Sequence, residues 1–231
     1  MKSQPSGTSA GQRARCHYLH PGARSRLLPF WAIMTLTMVL YLGGCGPVSP
    51  ETNAEPQKDI SADSLVLTGD DVGNIASFQG FMPEHTTKSD QPRLIDPGAP
   101  KDCGAVYDQN VAFGTAFKEF LSVTYGGLTD EYVKRVVSVT QNIGAYPDAA
   151  TAYRVFDQLV LGLTKCSSLQ VENYKVGVTR PDPSTIFVVT NGGKSEYRVK
   201  SSVLMYAGVG GLSNSGQVAH TVLDTIADRV Q

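Results

Sequence analysis

The apolar positions along the chain change period several times, and each change marks an element. Between Ala116 and Tyr125, Phe117, Leu121, Val123 and Tyr125 alternate with Lys118, Phe120, Ser122 and Thr124. Gly126-Gly127 and Thr129-Asp130 then read as a turn, after which Val133, Val137 and Val139 alternate with Lys134, Ser138 and Thr140. Glu119 and Arg135 interrupt the apolar side, but period two on both sides of a Gly-rich turn predicts an antiparallel hairpin. From Asp148 to Cys166 the period becomes helical. Ala152, Phe156, Leu159, Leu163 and Cys166 fall at alternating steps of four and three and share one face. Strands are expected at about Gln170–Thr179, Ser184–Thr190 and Glu196–Val209, separated by Pro181, Pro183 and Asn191-Gly192-Gly193. A last helix near Asn214, with Gln217 placed for a capping box, would bury Ala219, Val222, Leu223, Ile226 and Val230.

Upstream the pattern is sparser. Thr68 can cap a helix, with Asp71 three residues on and Leu67 and Val72 as a hydrophobic staple. Phe81 to Lys101, with four prolines, reads as a loop, and Asp102 to Asp108 suits a short helix carrying Cys103. The order is helix, hairpin, helix, meander, helix. It predicts one α+β domain over 64–231, built on an antiparallel sheet.

The first 44 residues differ from the rest. They hold Lys2, Arg13, Arg15, Arg24 and Arg26 but no acid, followed by an uncharged apolar run from Leu27 to Leu42. A basic stretch, an apolar segment and a small-residue site are the parts of an export signal. The leader is long enough for translation to start downstream of Met1, and it lacks an adjacent Arg-Arg pair, which favours general secretion over the twin-arginine route. Leu42-Gly43-Gly44-Cys45 resembles the bacterial lipobox. That resemblance implies a diacylglycerol on Cys45, removal of 1–44, and a partner in the cell membrane at its extracytoplasmic face. The competing reading is an uncleaved anchor with a buried Cys45. Residues 45–63 then form a lipidated Cys and a Pro-, Ser- and acid-rich disordered tether, with a typical span of roughly 20–25 Å.

Loss of the leader shifts the charge. The full chain carries 20 basic and 21 acidic residues, and the leader takes five of the basic, leaving about −6. An acidic domain without a Lys/Arg cluster argues against nucleic acid as a partner. Cysteine number changes the picture too. With Cys45 lipidated, Cys103 and Cys166 remain, and an even remainder in an exported chain argues for a disulfide between them. Closing that loop of about 64 residues would stabilise by roughly 4 kcal/mol in the chain-entropy model. A metal site or a catalytic thiol are weaker alternatives, lacking nearby ligands or a His partner.

The opening Leu65-Val66-Leu67-Thr68, the Pro-rich loop to Cys103, the hairpin, the helix 148–166, the meander and the ending Ile226-Ala227-Asp228-Arg229-Val230 together resemble the PknH-like extracellular sensor domain. That domain occurs outside mycobacterial membrane serine/threonine kinases and in mycobacterial lipoproteins. The resemblance spans about 64–231 and implies a twisted antiparallel sheet with packed helices and a cleft for a ligand. Members usually carry a second disulfide in the C-terminal strands; this chain has no cysteine after Cys166, which puts the geometry of those strands in question.

Catalytic chemistry is not legible. His85 sits in a polar loop and His220 beside the last apolar stripe, where a hydrogen-bonded, partly buried role is expected. Gly208-Val209-Gly210-Gly211 lacks the context of a phosphate loop, and Asp70-Asp71 suits a helix start better than a metal. No catalytic residue, metal or cofactor is expected. Two readings stand. The first is a sensor-like domain binding an envelope ligand on the polar hairpin face of Lys118, Ser122, Thr124, Lys134, Ser138 and Thr140, left open if helices cover only one side of the sheet. The second is a module docking on an envelope or membrane protein; a cell-envelope hydrolase ranks third.

Overall fold

Thr68 starts a helix by satisfying two backbone groups at once. Its hydroxyl accepts from Asp71 N (3.2 Å) while the Asp71 carboxylate accepts from Thr68 N (3.1 Å), so the expected capping box is present. Leu67 and Val72 are both fully buried beside it. The computed structural model describes residues 61–130 and 132–231. The expected leader, the Cys45 site and the tether through residue 60 lie outside the described residues. Ala62, two residues before the expected boundary at 64, is already helical and buried.

In chain order the elements are α1 (Ala62–Leu65), α2 (Gly69–Ala76), β1 (Thr87–Ser89), α3 (Gly104–Tyr107), α4 (Gln109–Phe113), β2 (Glu119–Leu128), β3 (Val136–Ala145), α5 (Ala149–Leu169), β4 (Gly177–Asp182), β5 (Thr185–Thr190), β6 (Gly193–Lys200), β7 (Val203–Gly210) and α6 (Ser215–Arg229). The strands form one seven-stranded antiparallel sheet in the order β1-β2-β3-β7-β6-β5-β4. The β2–β3 hairpin and the β4–β7 meander join where β7 pairs with β3, Ile143 opposite Met205. The fold is α+β with a single antiparallel sheet, as the residue patterns predict.

Helices pack on both faces of the sheet, so the condition under which the hairpin face would lie open is not met. On one face Leu121, Val123, Val139, Ile143 and Met205 meet Leu65, Leu67 and Val72 and the α6 stripe of Val222, Leu223 and Ile226. On the other, Phe120, Ile186, Val199 and Leu204 meet Phe113 of α4 and the α5 stripe of Ala152, Phe156, Leu159 and Leu163. Cys103 and Cys166 are buried in this second cluster at disulfide distance, Sγ–Sγ 1.97 Å, with Cα atoms 4.6 Å apart. Every residue of both clusters lies between Ala62 and Val230, so among the described residues the core is complete within this stretch. Among the described residues no helix is long and apolar enough to cross a membrane.

Four local expectations are corrected. Gly126-Gly127 is not a turn: both residues pair within β2, opposite Ser138 and Val137. A Cβ on Gly127 would stand 2.2 Å from Gly80 O and 2.8 Å from the Phe78 ring, so the glycine lets the 78–81 chain lie flat on the strand. The turn lies further on, where Thr129 N donates to Arg135 O. The stretch Glu196–Val209 is two strands, broken at Ser201, whose φ of 50° is left-handed without a glycine to announce it. The loop Phe81–Lys101 contains β1, which pairs Thr87 with Thr124. Asn214 makes no side-chain cap at the start of α6, so the capping box expected with Gln217 is absent. Glu119, which interrupts the apolar alternation, accepts from Ala62 N (3.0 Å) and so fixes the entry of α1.

Candidate binding cleft

The cross-sheet rows of the α5-facing side place the polar groups. Thr124 pairs with Thr140, Thr140 with Gly208, and Gly208 with Ser195. In the next row Ser122 pairs with Asn142, Asn142 with Tyr206, and Tyr206 with Tyr197. Because successive residues alternate sides, a hydroxyl-rich band runs across the sheet from β2 to β6. Thr140, Ser195, Tyr197, Tyr206 and Gly208 of this band line a cavity of about 200 Å³, with Leu163 of the α5 stripe also in its wall.

Two kinds of wall meet there. Ser138, Thr140, Thr190 and Ser195 supply hydroxyls, and Gly192, Gly193, Gly208 and Gly210 expose backbone. Ile95, Val106, Leu163 and Val188 form the apolar side, with Tyr107 at its edge. Gly208 has a packing reason: a Cβ there would lie 2.2 Å from the Tyr206 hydroxyl. The Tyr197 and Tyr206 rings lie 4.6 Å apart between centroids, tilted at 51°. Burial pushes both phenols up, with Ser195 as a hydrogen-bond partner of Tyr206 acting in the opposite sense. Burial and then the Asp96 charge also raise Tyr107. All three phenols are therefore protonated at neutral pH and can donate.

Next to the floor, Asn142 is 2% exposed and its Oδ1 has no hydrogen-bond partner among the described residues. Thr124 and Thr140 hydroxyls bond each other at 2.9 Å. At the rim Tyr174 donates to Asp96 (3.2 Å), and Ile95 N and Asp96 N donate to Tyr107 O. The loop carrying Ile95 is thereby pinned beside the opening.

Of the six hairpin residues singled out from sequence, Ser138 and Thr140 line the cavity, while Ser122 and Thr124 lie on the same sheet side in adjoining pairs. Lys118 precedes β2, its N–H donating to Ala145 O (2.7 Å), and Lys134 is exposed in the hairpin loop. These two are not brought into the cleft. Sequence reasoning missed Thr190, Ser195, Tyr107 and Tyr206. The usable signal was Gly208 and Gly210 two apart in one strand, which strips side chains from a single side.

Neither described histidine lines the cavity. His85 is exposed. His220 lies on the opposite side of the sheet, its Nδ1 2.9 Å from Glu196 and its Nε2 3.4 Å from Asp224. Among the described residues no group of three or more His, Cys, Asp or Glu is placed to hold a metal. The cleft's hydroxyls, amides and apolar wall suit holding a molecule by hydrogen bonds and contact.

Residues 59–229 match the family model of the PknH-like extracellular domain. The chain is also similar in fold to the extracellular domain of PknH from Mycobacterium tuberculosis, known from a crystal structure, with a TM-score of 0.52 at 18% identity, over 73% of this chain and 93% of that one. No curated protein matches the chain. A family match covering nearly the whole described unit, joined to the shared α+β architecture, places the chain in the family of PknH-like extracellular domains.

Proposed function

We propose that this protein is a cell-surface lipoprotein whose PknH-like domain binds an envelope molecule in the cleft between the sheet and α5, as a sensor or carrier and not as an enzyme. The observation that carries the reading is the hydroxyl band on the sheet, Thr140 and Ser195 flanking a bare Gly208, opening under the apolar wall of Ile95 and Leu163. Such a pairing of convergent polar groups and an apolar wall is what small-molecule sites are made of. The lipid anchor rests on Leu42-Gly43-Gly44-Cys45 and agrees with membership in an extracellular-domain family.

Native mass spectrometry of the unit Ala54–Gln231, mixed with a lipid and metabolite extract of the envelope, tests the binding reading. A reproducible added mass that Ser138→Phe abolishes supports it; no added mass contradicts it. For the anchor, Cys45→Ala should abolish lipid labelling, and a wild type that stays membrane-bound but unlabelled and unprocessed contradicts it.

A second reading has its own observation. At the β2–β3 hairpin end Tyr132 is fully exposed, and Val133 and Val136 are each 70% exposed. Exposed apolar groups gathered at a tip suit docking on a protein partner. In-cell crosslinking from residue 132 would capture that partner, and the cleft variant would leave capture unchanged.

A further inference from the structure

On the other face of the sheet, between the start of α2 and Tyr125 of β2, a separate cavity of about 400 Å³ has walls of a different chemistry. Phe78, Phe81 and Tyr125 contribute three aromatic rings, with Met82 beside them. The rings meet as adjoining walls and not as a stack: Phe78 and Phe81 lie 4.9 Å apart at 78°, Phe81 and Tyr125 6.3 Å apart at 54°. The helix side is bare. Gly69 and Gly73 sit four residues apart on one face of α2 and both line the space. A Cβ on Gly69 would already touch the Tyr125 ring at 3.4 Å.

One formal charge borders this cavity, the carboxylate of Asp70. Its neighbour Asp71 is engaged with Thr68 and stands 3.8 Å from Arg229. Asp70 is exposed and has no hydrogen-bond or ion-pair partner among the described residues. Aromatic faces carry negative potential, which repels an anion and attracts a cation held over the ring. The start of α2 contributes about half a positive charge, and two carboxylates in its first turn outweigh it.

We infer that this aromatic pocket, with Asp70 as its counter-charge, binds an alkylammonium group. The rings and Met82 take the methyl or methylene shell, and Asp70 takes the long-range charge. The inference stands apart from the sheet cleft and does not depend on it.

The test uses choline and its neutral carbon isostere, 3,3-dimethylbutan-1-ol. Each is titrated into the unit Ala54–Gln231 while the Met82 methyl and the Phe78, Phe81 and Tyr125 ring resonances are followed by NMR. Choline should shift them saturably and bind about fivefold or more tightly than the isostere, the size expected of a cation over aromatic faces. Asp70→Asn, which breaks no described contact, should remove most of that preference and leave isostere binding unchanged. Equal binding of the two probes, a preference unchanged in Asp70→Asn, or no saturable shift with choline would each overturn the inference. Flotation with phosphatidylcholine vesicles but not with phosphatidylglycerol vesicles would assign the group to a lipid headgroup. Choline binding without flotation would assign it to a free solute.

Discussion

The side chain of Gln141 binds both backbone groups of Leu67, 74 residues away: its Oε1 accepts from Leu67 N at 3.0 Å and its Nε2 donates to Leu67 O at 3.1 Å. Gln141 is wholly buried in the middle of β3, and it acts there as a strand partner for the chain entering α2. Tyr125 adds a second donor to the same carbonyl, at 2.9 Å. Gln141→Met keeps the volume but leaves Leu67 N without its acceptor in an apolar core. It should cost about 2–4 kcal/mol, the range for a lost buried pair and an orphaned amide. Urea unfolding of the two proteins measures it, and a loss below about 0.5 kcal/mol would contradict the assignment.

Beneath α6 lies a charge cluster with the opposite risk. The Glu196 carboxylate has no exposure, and Arg198 reaches it at 2.6 Å while holding Asp224 at 2.6 Å. Removing Arg198 leaves the buried Glu196 carboxylate with His220 alone, at 2.9 Å, and takes away its permanent counter-charge. Arg198→Met should therefore destabilise by about 3–5 kcal/mol, and the double variant Glu196→Leu with Arg198→Met should recover most of it. A double-mutant cycle by urea unfolding checks this; strictly additive losses would contradict the coupling.

Two helix caps set the acid behaviour. Backbone and side-chain hydrogen bonds from Thr68 hold the Asp71 carboxyl below its ordinary value, and bonds from Thr151 do the same for Asp148. A depressed folded value means stability that is complete above the unfolded value of about 3.9 and is lost as pH falls through the folded one. Asp148→Ala should accordingly melt lower than wild type at pH 7, with the gap narrowing below about pH 4. Thermal melts from pH 7 to pH 2 follow it, and a gap constant across that range would contradict the cap.

Cys103 joins the segment ahead of α3 to the last turns of α5, 63 residues on. Replacing both cysteines by Ser should lower stability by roughly 4 kcal/mol, the chain-entropy figure for a loop of this length. Alkylation without reductant, followed by mass mapping, should find neither thiol free. Modification of both in the folded protein would contradict the bridge.

How much of this was legible depended on whether the deciding contacts were local. The α5 stripe from Ala152 to Cys166 and the Thr68–Asp71 box could be read because helix periodicity and caps lie within a few residues of one another. The hairpin was legible as alternation, but its turn was not. Gly126 and Gly127 look like turn residues until Gly80 and Phe78 arrive from elsewhere to require Gly127 in the strand. Ser201 hides a strand break because a non-glycine residue adopts φ 50° there. The cleft was half legible: Ser138 and Thr140 follow from β3 alone, whereas Ser195 and Tyr206 join them only through strand pairings made across β7 and β6. The aromatic pocket had no local signature, since Phe81 is brought beside Tyr125 by its bridge to Gly127 of β2, far along the chain.

The central claim, an extracellular domain that holds a molecule on the hydroxyl band, is tested most directly by amide hydrogen exchange of the unit Ala54–Gln231 with and without the small-molecule fraction of an envelope extract. The account predicts slowed exchange confined to residues 138–142 and 191–195, and its loss in Ser138→Phe. Unchanged exchange at those residues, with slowing instead at the hairpin end around Tyr132 to Val136, would contradict it.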